Sequence, residues 1–332
     1  MSKGRGIILS LAALGAGLGL GAALTLAGGG PEGAQTFFAA LPGSFLHLDA
    51  LGLTLFRTGA LILTALSAAA AFRGGLMNLG GPGQYWLGAF CALYGAAQWQ
   101  MNWWQALALG AAAGGIWAAG AGMLRAGRQI SEGIASMVMN WIALYLVNFC
   151  LAQYPAVSEG AAAAVPEIGF LGFLGVPYWN WGLPLALIIA LILWAFFRWS
   201  TAGYEIRILG LNRRAARYAG MHTKRATVLL MALSGALAGL GGGAYYLSQA
   251  ARMTQDSQIP LLPFLGMAAA LLGANHPLAL VPWAILLSGV QTAAAGARLN
   301  VDAVSALCAG AALVCAWAPR LMREKTGRGE RA

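Results

Sequence analysis

The chain has 332 residues, of which 59% are hydrophobic and only 9% are charged, and its formal net charge is +10. A typical soluble domain has about 25% charged residues, so this composition excludes a soluble globular protein and indicates a polytopic membrane protein. The positive charge does not indicate nucleic-acid binding, because basic residues in a membrane protein mark the loops that stay in the cytoplasm.

Ten apolar segments are predicted to be transmembrane helices, since a helix needs about 20 apolar residues to cross the bilayer, and the predicted fold is therefore all-α. In chain order the segments are residues 7–27, 53–72, 76–97, 103–124, 134–152, 182–198, 226–248, 260–273, 278–297 and 301–319. The first is longer than the roughly 7–15 apolar residues of a signal peptide, so it is interpreted as a helix, with a cleaved signal as the alternative. A weak similarity between the second and third segments and the seventh and eighth, which run in opposite senses, predicts an inverted repeat.

The basic residues are distributed unevenly between the predicted loops. If the N-terminus is cytoplasmic, all but three Lys and Arg residues lie on the cytoplasmic side; the exceptions are Arg57, Arg252 and Arg298. This asymmetry follows the positive-inside rule and predicts that both termini are cytoplasmic. The chain is thus predicted to be one transmembrane domain over residues 1–320, with a cytoplasmic loop at 199–225 and a basic cytoplasmic tail at 321–332.

The start of the third segment predicts a break in the helix, because glycine lets the backbone bend and proline removes a hydrogen-bond donor. The residues of this run are Gly80, Gly81, Pro82 and Gly83. A second break is predicted at Pro277, after the eighth segment. That segment has about 14 residues, or about 21 Å of helix, which is short of the roughly 30 Å hydrocarbon core.

Polar residues inside the apolar segments are candidates for lining a solute pathway, because a solute that leaves water must find hydrogen bonds in the protein. The candidates are Asn78, Gln84, Ser136, Asn140 and Asn148. Asn140 and Asn148 lie about two turns apart and therefore share one face of the fifth helix. The alternative is that these side chains only form hydrogen bonds between helices, as buried amides in membranes commonly do.

The cytoplasmic loop contains a basic stretch, "GYEIRILGLNRRAARYAGMHTKRATVLL" at residues 203–230, in which the only acid is Glu205. Asn212 is a favoured N-cap residue and Gly220 suits the position after a helix end, so the loop is predicted to contain a helix of about two turns. A helix with defined ends and a face of small side chains can seat in a groove of another protein. The alternative is that the arginines only mark the loop as cytoplasmic.

Four stretches resemble, in the same order, the permeases of ABC importers of the nucleoside and simple-sugar type, within the branched-chain amino acid and ribose permease superfamily. They are "TLFRTGALILTALSAAAAFRGGLMNLGGPGQYWLGA" (54–89), "SEGIASMVMNWIALYLVNF" (131–149), "GYEIRILGLNRRAARYAGMHTKRATVLLMALSGALAGLGG" (203–242) and "LGANHPLALVPWAILLSG" (272–289). Pro82 stands where the family usually has Glu, and Ala60 stands where a Pro is common.

The resemblance implies a permease subunit of an ATP-driven importer in a bacterial plasma (inner) membrane. Such a subunit passes a small polar solute from a substrate-binding lipoprotein or periplasmic protein to the cytoplasm. The implied solute is a nucleoside, with a sugar or a vitamin as alternatives. The implied partners are a second permease, expected to be a non-identical sister, and ATP-binding subunits that carry ATP and magnesium, so this chain is expected to bind no cofactor or metal itself.

The resemblance also implies that the basic stretch contains the coupling helix through which an ATPase subunit acts on the permease. The residues of this helix are Asn212, Arg213, Arg214, Ala215, Ala216, Arg217, Tyr218, Ala219 and Gly220. The three arginines are expected to form its rim, while the three alanines and the tyrosine fill a groove of the ATPase.

An ion-coupled secondary transporter is the alternative function. Carriers of that class generally use ionisable residues at membrane depth, whereas the ten acids of this chain fall in loops or near helix ends. An ion site built from backbone carbonyls stays open as an alternative. The sequence has no G-x-x-x-x-G-K-[ST] phosphate loop, so ATP hydrolysis must take place on another polypeptide. Because it also has neither H-E-x-x-H nor G-x-S-x-G, the chain is predicted not to be an enzyme.

Overall fold

The computed structural model describes residues 35–128, 130–159, 181–248, 252–301 and 304. Within these ranges all regular structure is helical, and no strand is present. The predicted first span, 7–27, and the basic tail, 321–332, lie outside the described residues, as does most of the tenth span, 301–319. The number of spans, the orientation of the termini and the inverted repeat therefore stay predictions.

Twelve helices are described over consecutive residues, and residues 301 and 304 are also helical. In chain order they are α1 (35–46), α2 (Leu48–Arg73), α3 (Gly81–Gln98), α4 (Trp103–Arg128), α5 (Glu132–Gln153), α6 (Pro155–Glu159), α7 (Gly182–Trp199), α8 (Thr201–Leu211), α9 (Arg213–Tyr218), α10 (Thr223–Tyr246), α11 (Leu262–Leu272) and α12 (Leu280–Gly296).

Five of these helices, α2, α4, α5, α7 and α10, are long and apolar enough to cross a membrane. They coincide with five of the predicted spans. Two more, α11 and α12, are apolar but shorter. The 11 residues of α11 agree with the short eighth segment that the sequence predicts.

The third helix begins later than the sequence predicted. Residues 76–80 are not helical, and α3 begins at Gly81, so the predicted start at residue 76 was wrong. Gly75 has a φ of +68°, which is left-handed and cannot occur within a right-handed α-helix. This residue therefore separates α2 from the residues that follow. Pro82 lies in the first turn of α3, where a missing N–H costs nothing, whereas in a helix that began at residue 76 it would clash with the preceding turn.

The bundle is built around α2 and α10. Every residue of α2 from Thr58 to Ala71 is buried, and α10 packs against α2, α3 and α4. The outer helices instead expose large apolar side chains, such as Ile142 and Phe149 on α5. A helix that is apolar on all sides belongs in the centre of a bundle, while exposed apolar faces suit lipid or another membrane subunit.

Glycine allows the backbones of α4 and α10 to touch. A Cβ atom built on Gly114 would overlap the carbonyl oxygen of Gly235 and would lie 2.9 Å from Cα of Gly239. Small residues of this kind let membrane helices approach closely and gain van der Waals contact. The contact fixes α10 against α4 and so positions the start of α10, which lies within the basic stretch.

We expect Gly114→Val to disrupt this contact at a cost of about 3 kcal/mol, the upper end for an overpacked site, because the overlapping atoms belong to the backbone and cannot turn away. Gly127→Val, on the same helix, is the matched control, since nothing lies within 4 Å of a Cβ at Gly127. Thermal unfolding of the purified protein in detergent measures the difference. Equal melting temperatures for the two variants would contradict the contact.

Candidate functional site

Two predicted pathway candidates, Asn78 and Gln84, pair with each other at the start of α3. Their side-chain amides exchange two hydrogen bonds, each of 2.9 Å. Nδ2 of Asn78 also donates to Oγ of Ser234 on α10 at 2.8 Å, and this hydroxyl donates to the carbonyl oxygen of Ser67 on α2 at 2.8 Å. One chain of hydrogen bonds therefore joins α2 and α10 to the segment before α3.

Two further candidates, Ser136 and Asn140 on α5, bind the backbone around the break. Oδ1 of Asn140 accepts from the N–H of Gly83, and its Nδ2 donates to the carbonyl oxygen of Leu79, both at 2.9 Å. Oγ of Ser136 accepts from the N–H of Leu79 at 3.2 Å. A continuous helix would satisfy such groups itself, so here α5 supplies the partners that the interrupted backbone lacks.

These residues form one polar cluster, which consists of Ser67, Asn78, Gln84, Ser136, Asn140 and Ser234. The four members that the sequence predicted are each only 1–2% exposed. Their geometry matches the alternative in which buried amides bridge helices, and their role in a solute pathway stays a prediction. Ser67 and Ser234 were not among the candidates; their position inside apolar segments is the only signal in the sequence that could have found them.

The fifth candidate, Asn148, lies apart from the polar cluster. It is half-buried, about 12 Å along α5 from Asn140, and its Nδ2 donates to the carbonyl oxygen of Asp256 at 2.6 Å. Nε2 of Gln255 donates to the carbonyl oxygen of Asn148 at 3.0 Å. Asn148 therefore fastens α5 to the segment between α10 and α11.

The residues predicted to break helices lie at helix ends. Gly80 is the N-cap of α3, and Gly81, Pro82 and Gly83 form its first turn. Pro277 lies in the corner between α11 and α12, where Ala274 and Asn275 have left-handed φ angles of 51° and 58°. The side chain of Arg73, at the end of α2, donates from Nε to the carbonyl oxygen of Asn275 at 2.8 Å and so holds this corner against the bundle.

The basic stretch contains the short helix α9, which we call the basic helix, and both of its ends are capped. Oδ1 of Asn212 accepts hydrogen bonds from two backbone N–H groups of the first turn, each of 3.0 Å. At the other end Gly220 has a φ of +80°. Its N–H donates to the carbonyl oxygen of Arg217, and the N–H of Met221 donates to that of Ala216, both at 3.1 Å, which is a Schellman motif.

The basic helix packs on α8 and on the start of α10. Ala216 is 0% exposed, so the expectation that it fills the groove of a partner was wrong: the helix uses this methyl group to anchor itself to its own chain. Tyr218 is 93% exposed, and Ala215 and Ala219 are exposed beside it. The outward face is therefore available to a partner, and its coupling role stays a prediction.

A pocket of about 260 Å³, which we call the basic pocket, lies between the end of α4, the basic helix and the start of α10. Its lining residues are Arg125, Ala126, Arg213, Arg217, Thr223 and Lys224. Arg125 forms an ion pair with Glu132 of α5, with 3.0 Å between Nε and Oε2, and Arg213 donates to the hydroxyl of Thr227. Burial lowers the pKa of Arg213 from its ordinary value, and the charge of Arg125 lowers it further. The charge of Glu132 raises the same pKa and opposes both effects.

We expect Asn140→Leu to destabilise the protein by about 2–6 kcal/mol, because it leaves two buried backbone groups unpaired and each such group costs about 1–3 kcal/mol. Asn148→Leu is the matched control: its partners lie on an exposed segment, where water can replace the lost hydrogen bonds. Thermal unfolding in detergent compares the two. An Asn140→Leu variant that unfolds like the control but changes the selectivity of uptake would instead favour the pathway role.

Comparison with known proteins gives a consistent result. The family described as "Branched-chain amino acid transport system / permease component" matches residues 50–317. The chain is 31% identical to a guanosine ABC transporter permease of Bacillus subtilis, with 87% of this chain and 85% of the relative covered. It is 33% identical to a nucleoside ABC transporter permease of Lactococcus lactis, with 89% and 85% covered.

A probable riboflavin import permease of Treponema pallidum is also similar, at 29% identity over 75% of this chain and 69% of the relative. The family match over residues 50–317 includes the helices that hold the polar cluster and the basic helix. The chain belongs to the branched-chain amino acid transport system permease family.

Proposed function

We propose that the chain is the permease subunit of an ATP-driven importer that passes nucleosides into the cytoplasm across a bacterial plasma membrane. The observation that carries this proposal is the similarity to guanosine and nucleoside ABC transporter permeases over 85% of each relative. A riboflavin permease and a glucose permease are similar at 29% identity, so a vitamin and a sugar are the competing solutes.

ATP hydrolysis is proposed to take place on a separate subunit that docks on the basic helix. Tyr218 and Leu211 are 93% and 86% exposed and offer apolar contacts, and Arg214 and Arg217 are exposed beside them. Because both ends of the helix are already capped, docking does not have to order this segment, which lowers the entropic cost of binding.

The basic helix has a short route to the centre of the bundle. Ala216 is buried against the chain, and Arg213 binds the hydroxyl of Thr227 on α10. Further along α10, Ser234 belongs to the polar cluster. A movement of the ATPase is therefore proposed to shift the basic helix together with α10, and to act on the hydrogen bonds that join α10 to α2 and α3.

Ion-coupled transport has less support. Among the described acids Glu132 is the buried one, at 8% exposure. Its carboxylate is held by Arg125 at 3.0 Å and accepts from the N–H of Met77 at 3.4 Å. A carboxylate that is neutralised by a fixed partner is poorly suited to bind and release a coupling ion during each cycle.

The remaining partners are proposed from the family. A second permease, expected to be a non-identical sister, would cover part of the exposed apolar surface of the outer helices, and lipid would cover the rest. A substrate-binding lipoprotein or periplasmic protein would deliver the solute to the side opposite the basic helix. ATP and magnesium would be held by the ATPase subunits and not by this chain.

We expect Tyr218→Glu to reduce ATP-dependent guanosine uptake at least tenfold, because it places a charge in the middle of the apolar docking face. Tyr204→Glu is the matched control, since Tyr204 is 56% exposed but lies near the start of α8, about 10 Å along that helix from Leu211. Uptake is measured in vesicles that contain the complete complex and ATP, with riboflavin and glucose as competing solutes.

Full uptake by the Tyr218→Glu variant would overturn docking at the basic helix. Uptake of riboflavin or glucose but not of guanosine would overturn the choice of solute and leave the importer in place. Uptake that needs an ion gradient and no ATP would support the secondary transporter instead.

A further inference from the structure

The basic pocket holds more positive charge than the proposed function uses. Of its four cations, Arg125 is paired with Glu132 and Arg213 is bound to Thr227. Arg217 and Lys224 are exposed, and the part of the chain that the structure describes offers neither of them an acidic partner. Cations that converge on one cavity without matching acids repel each other, so an anion in the cavity would stabilise the arrangement.

The pocket also lies at the N-terminus of α10, a helix of 24 residues. Thr223 and Lys224 line the pocket from the first turn of this helix. Within the described ranges no side chain caps this end of α10. The N–H groups of Thr223 and Ala226 donate to the carbonyl oxygens of Met221 and His222, so the dipole of the helix and the two remaining N–H groups of the first turn add to the attraction for an anion.

The pocket lies at the ends of α4 and α10, two helices that are long and apolar enough to cross a membrane. One turn before Arg125, a Cβ atom on Gly122 would lie 3.0 Å from Cα of Val228, so α4 and α10 touch there. Beside this contact Met123 is 59% exposed and Leu229 is 57% exposed. Along the helix axes Met123 lies about 3 Å from Arg125 and Leu229 about 8 Å from Lys224, so both helices expose large apolar side chains near the level of the cations.

We propose that the basic pocket binds a phosphate group, and that its source is the headgroup of an anionic phospholipid whose acyl chains lie along α4 and α10. Guanidinium groups match phosphate oxygens in charge and geometry, and basic pockets between transmembrane helices on the cytoplasmic side suit anionic headgroups. The volume of about 260 Å³ is several times the roughly 30 Å³ of one water. The position of the pocket at the ends of two apolar helices, which expose Met123 and Leu229, favours a lipid over free phosphate, because free phosphate makes no use of apolar surface.

A phosphate in this position contacts three elements at once. It lies against Arg217 of the basic helix, Lys224 of α10 and Arg125 of α4. The lipid therefore holds the basic helix against the two helices whose glycine contact fixes the core. Arg217 belongs both to this site and to the surface proposed for the ATPase, but lipid binding is tested on the purified chain without solute or ATPase, so its test is separate from the test of the proposed function.

The experiment measures lipid binding to the purified full-length chain. Delipidated protein in neutral detergent is titrated with phosphatidylglycerol or phosphatidylcholine, and native mass spectrometry counts the lipids retained. The wild-type chain is expected to retain one phosphatidylglycerol in preference to phosphatidylcholine. The double variant Arg217→Gln/Lys224→Gln is expected to bind phosphatidylglycerol about 30-fold more weakly, which corresponds to about 2 kcal/mol.

The matched control is Arg214→Gln/Arg225→Gln, which removes two positive charges from the same two helices. Neither residue lines the pocket, so this variant is expected to bind phosphatidylglycerol as the wild type does. Melting temperatures of both variants are compared with that of the wild type. If Arg217→Gln/Lys224→Gln is also less stable, a third variant, Arg217→Lys/Lys224→Arg, keeps both charges and is expected to restore lipid binding.

Equal weakening by the pocket variant and the control would overturn the proposal, because net charge alone would then explain binding. If the wild-type chain retains no lipid but binds inorganic phosphate, and the pocket variant does not bind phosphate, the phosphate site would stand and the lipid source would be overturned. The pocket variant could also bind lipid as the wild type does and yet no longer co-purify with an ATPase subunit. That result would assign the pocket to an acidic side chain of the ATPase and overturn the proposal.

Discussion

A backbone that leaves the helical conformation in the buried interior of a helix bundle must find its hydrogen-bond partners within the protein, because water does not reach it there. In this chain the interruption falls at residues 76–80, between α2 and α3. Asn140 and Ser136 reach from α5 to the peptide groups of Leu79 and Gly83, and the position of α5 against α3 follows from that requirement. Glycine makes the approach possible, since a Cβ atom on Gly83 would lie 2.9 Å from Cα of Asn140.

The first turn of α5 also connects the polar cluster to the basic pocket. Glu132 accepts from the N–H of Met77 in the interrupted segment and forms an ion pair with Arg125 at the end of α4. Four residues further along, Ser136 belongs to the polar cluster. The first turn of α5 therefore contacts both the non-helical segment at residues 76–80 and the end of α4 that lines the basic pocket.

The ends of the basic helix also have backbone groups that need hydrogen-bond partners, and here neighbouring residues in the chain supply them. Asn212 and Gly220 satisfy its ends locally, so a helix of six residues, which would not be stable by propensity alone, keeps a fixed shape on the surface. One buried methyl group, that of Ala216, anchors it. A rigid element attached to α10 in this way is suited to carry a movement from a partner into the bundle.

The sequence by itself determined the class of the protein, most of the described long helices and the two capped ends of the basic helix. Each of these depends on local information: the length of an apolar run, or the preference of Asn and Gly for a particular backbone conformation. The start of α3 was misplaced because hydropathy counts residues 76–80 as apolar, while the φ of Gly75 and the place of Pro82 in the first turn decide where the helix begins.

Only the tertiary structure decided which polar residues meet. Asn78 and Ser234 are far apart in the chain, and nothing local in the sequence indicates their hydrogen bond; it exists because glycine contacts bring α10 against α3 and α4. The same holds for Ala216, whose burial depends on what lies beneath the basic helix, and for the pocket that joins Arg125, Arg217 and Lys224. Composition and caps are properties of short stretches of chain, whereas burial and the pairing of charges are properties of surfaces that exist only once the helices have packed.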